Sequence, residues 1–471
     1  MRKNLGILLP VSSLPSRHGI GDFGKDSYFF IDWLSKHHYR YWQILPLNPL
    51  GPGESPYMST CSTAIDFRYI SLDFLVEEGL LKEVPSYRKS SEEVNYNGVK
   101  EFKKKYLYTA YLKYSKTKME GLKKFKTRNP WVVKYATFEV FKEMNDNRTW
   151  NTWEDWQINY FENHTNPPKT LLKEINFKVF MQYIAHKQWK KVLEYARSKN
   201  VKLIADMPFY CGFDSIEVWL NKDQFLIENN VQTHEGGVPP DAFSDVGQLW
   251  GSPIYNFDKM REDNYSLLVN RTGMLGEMCD LLRLDHFRAF DTYYVIPAGM
   301  PDAKIGEWKV GPRCEFFDAL YKAYPNINLI AEDLGDLFPS VLELRDHYNF
   351  PGMYICEFTV FDENAYPNEN LIVYPGTHDN ETIAGWLKNL PEWNINHLKW
   401  KFNEQDESKL FDRFFEYILS LPSKMTIWPM QDLLRLDNRA RLNSPGTIGY
   451  PNWVWKMKSW DQLKKIKFKI K

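Results

Sequence analysis

Five carboxylic acids each stand directly after a short apolar run: Asp206, Asp285, Glu332, Asp379 and Asp432. One acid in that position can be a helix N-cap or half of a structural ion pair. Five of them would converge on one mouth and repel each other unless a ligand or an arginine compensates. Glycoside chemistry uses such a group. It needs one ionised carboxylate to attack the anomeric carbon and one protonated carboxyl to release the leaving oxygen. Strand alternation places Arg283 and Asp285 on one face, and a nearby cation favours the ionised carboxylate, which suits Asp285 to attack. Glu332 follows Leu329, Ile330 and Ala331 with no adjacent cation, which fits a raised pKa and a proton donor. Spacing alone does not choose Glu332 over Asp333, which points to the opposite face.

Two other chemistries compete. Barrels bind zinc through His and Asp at strand ends, but the first strand here lacks His-x-His, and only His286 and His378 lie near the acids. A catalytically silent glycan-binding protein would not need three acids around one point.

The elements that must position these acids are strand-like runs at 6–9, 41–45, 201–205, 281–284, 326–331, 353–358, 371–374 and 424–428. Most of the gaps between them hold a plausible helix. That alternation predicts an α/β fold, a (β/α)8 TIM barrel spanning 1–471, with catalytic side chains at the C-terminal ends of the strands. The stretch 72–200 changes character: it is lysine-rich and helical in periodicity, contains Trp150, Trp153 and Trp156, and ends in a long helix over 171–198. It reads as a mainly helical insertion. Residues 229–258 are rich in Gly, Pro, Ser and aromatics and lack a period of their own. A connection of that length is usually functional, so it is expected to be a lid or binding loop carrying Trp250 and Tyr255.

Composition narrows the partners. Lys+Arg and Asp+Glu both number 60, so no nucleic acid or anionic membrane is implied. The 28 Tyr, 30 Phe and 17 Trp point weakly to a glycan, whose C–H faces stack on aromatic rings. Five scattered cysteines without C-x-x-C spacing fit reduced thiols in a cytoplasmic protein. The apolar run after Asn4 is short and ends at Pro10, so it reads as the first strand rather than a secretion signal. No stretch reaches the roughly 20 apolar residues that span a bilayer.

Several ordered motifs resemble those of the 4-α-glucanotransferases (amylomaltases, or disproportionating enzymes) of glycoside hydrolase family 77. They are Arg283-Leu-Asp285-His-Phe-Arg288, Ala331-Glu332-Asp-Leu-Gly335 and Gly376-Thr-His378-Asp379-Asn-Glu-Thr382. The resemblance runs from Gly6-Ile-Leu-Leu-Pro10 and Ser55-Pro-Tyr57 through Asp206-Met-Pro-Phe209, the stretch 239–244 and Gly247-Gln-Leu-Trp250 to Asn443-Ser-Pro-Gly446 and Asn452-Trp-Val-Trp455. It implies Asp285 as nucleophile, Glu332 as general acid/base and Asp379 as the carboxylate that stabilises the transition state. Arg283, His378 and Asp206 would hydrogen-bond the sugar, Tyr57 would stack under it, and Trp250 and Tyr255 would lie on a loop covering the glucan.

The implied reaction is retaining, with segments of 1,4-α-glucan passing to the 4-hydroxyl of a malto-oligosaccharide or glucose. An α-glucan hydrolase using the same acids is the alternative. No metal or organic cofactor is expected. Three departures stand out: the short loop 51–55, Asp66-Phe67 in place of the usual Asn-Pro, and Lys456 where an arginine is usual.

Overall fold

Eight short parallel strands carry the acids. The computed structural model describes residues 3–87, 91–240 and 244–466. From the N-terminus run β1 (Asn4–Leu8), α1 (Lys25–Lys36) and β2 (Tyr41–Gln43), followed by three long helices, α2 (Tyr96–Tyr114), α3 (Trp131–Met144) and α4 (Leu172–Ser198). Next come β3 (Lys202–Met207), β4 (His234–Val238), β5 (Gln248–Pro253), α5 (Ser266–Gly276) and β6 (Leu281–Leu284). β7 (Thr292–Pro297), β8 (Glu307–Val310), α6 (Arg313–Ala323), β9 (Leu329–Ala331), α7 (Pro339–His347) and β10 (Gly352–Ile355) follow. The chain continues through β11 (Leu371–Tyr374), α8 (Ile383–Asn389), α9 (Glu392–Lys401), α10 (Leu410–Ser420) and β12 (Met425–Pro429).

The barrel order is β9-β6-β3-β2-β1-β12-β11-β10, with every ladder parallel. The Ala331 N–H donates to the Pro351 carbonyl at 2.8 Å and brings β9 against β10, nearly closing the ring. These are the eight strands of a (β/α)8 barrel, and each coincides with one of the apolar runs read from the sequence. Their side chains are almost wholly buried, as expected where helices cover the outer face and neighbouring strands fill the inner one. Gly6 on β1 illustrates the packing: a Cβ there would come within 2.3 Å of Ile427 and 2.7 Å of Tyr41. The outer helices bury one stripe each. On α10 it is Leu410, Phe411, Phe414, Phe415 and Ile418, at the i, i+4, i+8 spacing that faces one side.

Between β2 and β3 the chain is mainly helical, and its apolar residues pack in two clusters: Val99, Val132 and Phe180 with Ile7, Trp42 and Val373 of the barrel, and Phe138, Phe141 and Trp150 with Met207, Leu282 and Leu284. The segment after β3 differs from the irregular loop expected at 229–258. β4 and β5 form an antiparallel hairpin that extends through β7 to β8 as a four-stranded sheet, in the order β8-β7-β4-β5. Period-two patterning is hidden there because the register shifts between Glu235 and Gly237. A Cβ on Gly237 would also lie 2.1 Å from the Gln248 carbonyl oxygen, so the close approach of the two strands requires glycine. Residues 241–243, part of this segment and of the 239–244 motif, lie outside the described residues.

Candidate active site

Arg283 is the hub of the barrel mouth. β6 delivers it, and it is 3% exposed. Its Nη1 donates to both carboxylate oxygens of Asp206 at 2.7 Å and to Asp285 Oδ1 at 3.1 Å. Asp206 comes from β3, whose residue 206 pairs in register with Arg283 on β6, so the ladder itself sets this contact. Asp285 follows β6 and is fixed by its N–H to the Met207 carbonyl at 3.0 Å.

The chain then turns sharply. His286 adopts φ 51°, a left-handed conformation that non-glycine residues rarely take. The turn aims its backbone N–H at Glu332 Oε2, 2.6 Å away. Strain of this kind, held by the surrounding packing, is typical of sites that fix a reacting group. The structure also separates Glu332 from Asp333. Asp333 faces away, where it accepts from the Met353 N–H at 2.7 Å and from Arg345 Nη1 at 2.5 Å. Asp333 is therefore a structural anchor, and Glu332 faces the nucleophile candidate.

Asp379 reaches the same mouth from the turn after β11. Its Oδ1 accepts from Asn443 Nδ2 at 2.6 Å, and its carbonyl accepts from Arg441 Nη2 at 2.5 Å. His378 Nε2 lies 3.3 Å from Asp379 Oδ2 and 2.8 Å from the Tyr57 hydroxyl. Tyr57 donates its proton to Asp206 Oδ2 at 2.7 Å, so the His378 Nε2–H is the donor toward Tyr57. Burial lowers the pKa of His378 and keeps the ring neutral, although Asp379 pulls the other way. The tyrosine and histidine rings stack at 5.3 Å with an 8° tilt, and Trp453 packs against both. Removing the hydroxyl in Tyr57→Phe breaks the link between Asp206 and His378. It is expected to lower kcat/KM on maltotriose by about tenfold to a hundredfold. Steady-state kinetics on the purified variant checks this, and a value within twofold of wild type would show that the link is dispensable.

The carboxyl pair departs from the simple expectation of an ionised Asp285. Burial pushes Asp285 up to about 7, and Asp206 and Asp379 add to the rise against the pull of Arg283. Arg283 does not outweigh burial, for Asp206 takes the two shorter contacts with the guanidinium and leaves Asp285 the longer one. Burial drives Glu332 well above the usual carboxylate range, Arg283 opposes that, and the charge of Asp285 adds to it. Asp285 touches a cation and Glu332 touches only a backbone N–H, so Glu332 is the carboxyl of the two that keeps its proton more readily.

Two sequence readings need correction. Tyr255 is 1% exposed and packs among Phe209, Phe225 and Phe257, with its hydroxyl donating to the Phe209 carbonyl at 2.8 Å. It braces the wall behind the mouth and does not cover it. The neighbouring Ile254 is fully buried, its carbonyl accepting from the Leu226 N–H, and the aromatic cluster there captures the Tyr255 ring. Asp432 likewise stands apart from the other four acids. It is 1% exposed and caps α8 by accepting from the Ile383 N–H at 2.8 Å. Trp250, by contrast, stays partly exposed on β5 and meets the His286 ring edge-on at 4.7 Å, which places it beside the acids.

Arg288 is buried and stacks on Trp308 at 4.0 Å and Phe338 at 5.1 Å, and so ties the four-stranded sheet to the loop after β9. Asn443, Arg441 and Trp453 were not singled out as site residues from the sequence, although two of them lie in quoted motifs. Of the departures, Asp66 accepts from Arg68 and its backbone N–H, and Lys456 is buried. Neither is among the groups bonded to the acids. Among the described residues, no group of three or more His, Cys, Asp or Glu has metal-holding geometry, and no helix is long and apolar enough to cross a membrane.

A family model described as 4-alpha-glucanotransferase, glycoside hydrolase family 77, matches residues 9–463. The chain belongs to that family. It is 35% identical to the 4-alpha-glucanotransferase of Streptococcus pneumoniae, over 98% of this chain and 94% of that one. It is 36% identical to the chloroplastic/amyloplastic 4-alpha-glucanotransferase of Solanum tuberosum, over 97% of this chain and 83% of that one. Among solved structures it is similar to the amylomaltase from Streptococcus agalactiae in complex with acarbose. That match has a TM-score of 0.92 and 32% identity, and covers 99% of this chain and 98% of the other. The glycoside hydrolase family 77 motifs quoted from the sequence coincide with the mouth: Asp206, Arg283, Asp285, Glu332, His378 and Asp379 sit on four segments at its rim.

Proposed function

We propose that the chain transfers 1,4-α-glucan segments by a retaining double displacement, with Asp285 as nucleophile, Glu332 as general acid/base and Asp379 as the carboxylate facing the developing charge. Membership of the family makes the protein a 4-alpha-glucanotransferase. The roles of individual residues are the proposal. One observation carries it: two half-buried carboxyls flank the His286 turn, one bonded to a guanidinium and the other to a neutral N–H.

Glu332 first protonates the glycosidic oxygen while Asp285 attacks the anomeric carbon, giving a glucosyl ester and a free glucan leaving chain. Glu332, now ionised, takes the proton of an incoming 4-hydroxyl as that oxygen displaces Asp285. Asp206, Asp285 and Asp379 outnumber the Arg283 cation, so the mouth favours an oxocarbenium-like transition state. Asp206, Arg283, His378 and Tyr57 would hold the hydroxyls of the cleaved unit, and Trp250 would cover the acceptor side. Malto-oligosaccharides serve as donors and glucose as the smallest acceptor. A single barrel with the helical stretch 72–200 inserted, and 229–258 as its covering segment, belongs to the same reading. So does a cytoplasmic location, which the five free cysteines support.

Proton NMR of freshly formed products tests the stereochemistry. α-Linked products with no transient β anomer are expected, and an initial β anomer would refute the double displacement. The pH profile follows from the pair. Attack requires ionised Asp285, so kcat/KM should rise with pH through the lower of the two shared pKa values. Protonation by Glu332 requires its acid form, so kcat/KM should then fall through the higher one. Both limbs are expected above the ordinary carboxylate range, since burial raises both groups. Trp250→Ala opens the covering side to water and is expected to raise the hydrolysed fraction of donor several-fold, read from reducing ends released per turnover.

A further inference from the structure

Helix α9 presents its aromatic residues to solvent. Trp393 and Trp400 are 67% and 69% exposed. They lie seven residues apart, so they share a helix face and are separated by about 10 Å along its axis. Exposed Asn396 and half-buried His397 fill the same face between them. The ring contacts are continuous: Trp393 to Phe361 at 6.3 Å, Phe361 to His397 at 5.6 Å, and His397 to Trp400 at 5.7 Å. The helix is anchored from its other side, where Leu398 and Asn394 are buried. Folding therefore does not need the two indoles, and α10 hides its own aromatics. A joined apolar patch of this kind marks a binding surface, unlike a single exposed ring.

The charges nearby select the occupant. Lys399 is drawn off to Glu407 Oε1 at 2.6 Å, and Lys401 to the Val360 carbonyl at 2.5 Å. Apart from exposed Glu392 at its N-terminal edge, the remaining stripe is uncharged and carries an amide and an imidazole between two indoles. It complements a neutral polyhydroxyl chain, whose C–H faces stack on indole and whose hydroxyls meet the amide, and offers nothing to an anionic polymer or membrane. The gap between the indoles is wider than one pyranose ring, so a chain can engage both rings and a monosaccharide cannot.

We propose that Trp393, Asn396, His397 and Trp400 form a second glucan-binding site, outside the catalytic mouth, that holds polymeric α-1,4-glucan. The choice of ligand rests on the proposed function, and the test separates the two. Wild type and Trp393→Ala/Trp400→Ala are run in native gels containing glycogen or amylose, and maltotriose turnover is measured on the same preparations. The expected result is about a tenfold loss of apparent polymer affinity in the double variant, as for truncation of exposed anchor residues. Maltotriose kcat/KM should stay within twofold, and added glucose should not release the polymer. Equal retardation of the two proteins would overturn the site. So would a change in oligomeric state with unchanged polymer affinity, which would make the face a contact between copies. Tryptophan-dependent retardation without maltotriose turnover would uphold the site and sink the catalytic reading.

Discussion

Asp285→Asn is expected to lower kcat for maltotriose disproportionation by about 10⁴-fold or more, the scale seen when a covalent nucleophile is removed. The amide keeps the shape of the side chain and can still accept from Arg283, but it cannot form the ester. Arg283 remains neutralised by Asp206 through two contacts of 2.7 Å, so the mouth should keep its form. Malto-oligosaccharide affinity, measured by calorimetry, should therefore stay within a few-fold of wild type. Wild-type turnover, with deamidation excluded by mass spectrometry, would remove Asp285 from the role. Lost binding together with lost turnover would mean that the charge serves the ground state instead.

Glu332→Gln should behave differently, and the contrast is the stronger evidence. The variant loses the proton for the leaving oxygen, so turnover of maltotriose should fall by about 10³-fold. An α-glucosyl fluoride donor needs no proton to leave, and its first step should be nearly restored. The alkaline limb of the pH profile should disappear with that donor, since the raised pKa behind it belongs to Glu332. Glucosyl ester on Asp285 should then accumulate to a level visible in intact-protein mass spectra, because the second step lacks its base. An equal loss with both donors would argue that position 332 shapes the mouth and does not move protons.

The barrel was legible in the sequence because each of its strands is a short apolar run, a pattern that burial on both faces imposes, and four of them lead into a mouth acid. Asp206, Asp285, Glu332 and Asp379 were legible for the same reason: strand ends face the mouth. Asp432 carries the same signature, yet it caps α8, and nothing in spacing distinguishes a cap from a mouth residue. Tyr255 was misplaced because a segment of Gly, Pro and aromatics looks irregular until its partner strands are known. The pairing of Arg283 chiefly with Asp206 was not legible either. It depends on the β3–β6 register, across 77 residues of chain, and it leaves Asp285 a weaker share of the arginine than its nearness in sequence suggests. Asn443 reaches Asp379 across 64 residues, a link that composition and periodicity do not encode.

Incubation of the purified protein with maltotriose, with products separated by chain length and reducing ends counted, tests the central claim most directly. Glucose appearing together with longer malto-oligosaccharides, at a constant number of reducing ends, is the predicted result and means that a sugar hydroxyl intercepts the Asp285 ester. Glucose and maltose alone, with reducing ends rising in step, would mean that water does so and would contradict the account.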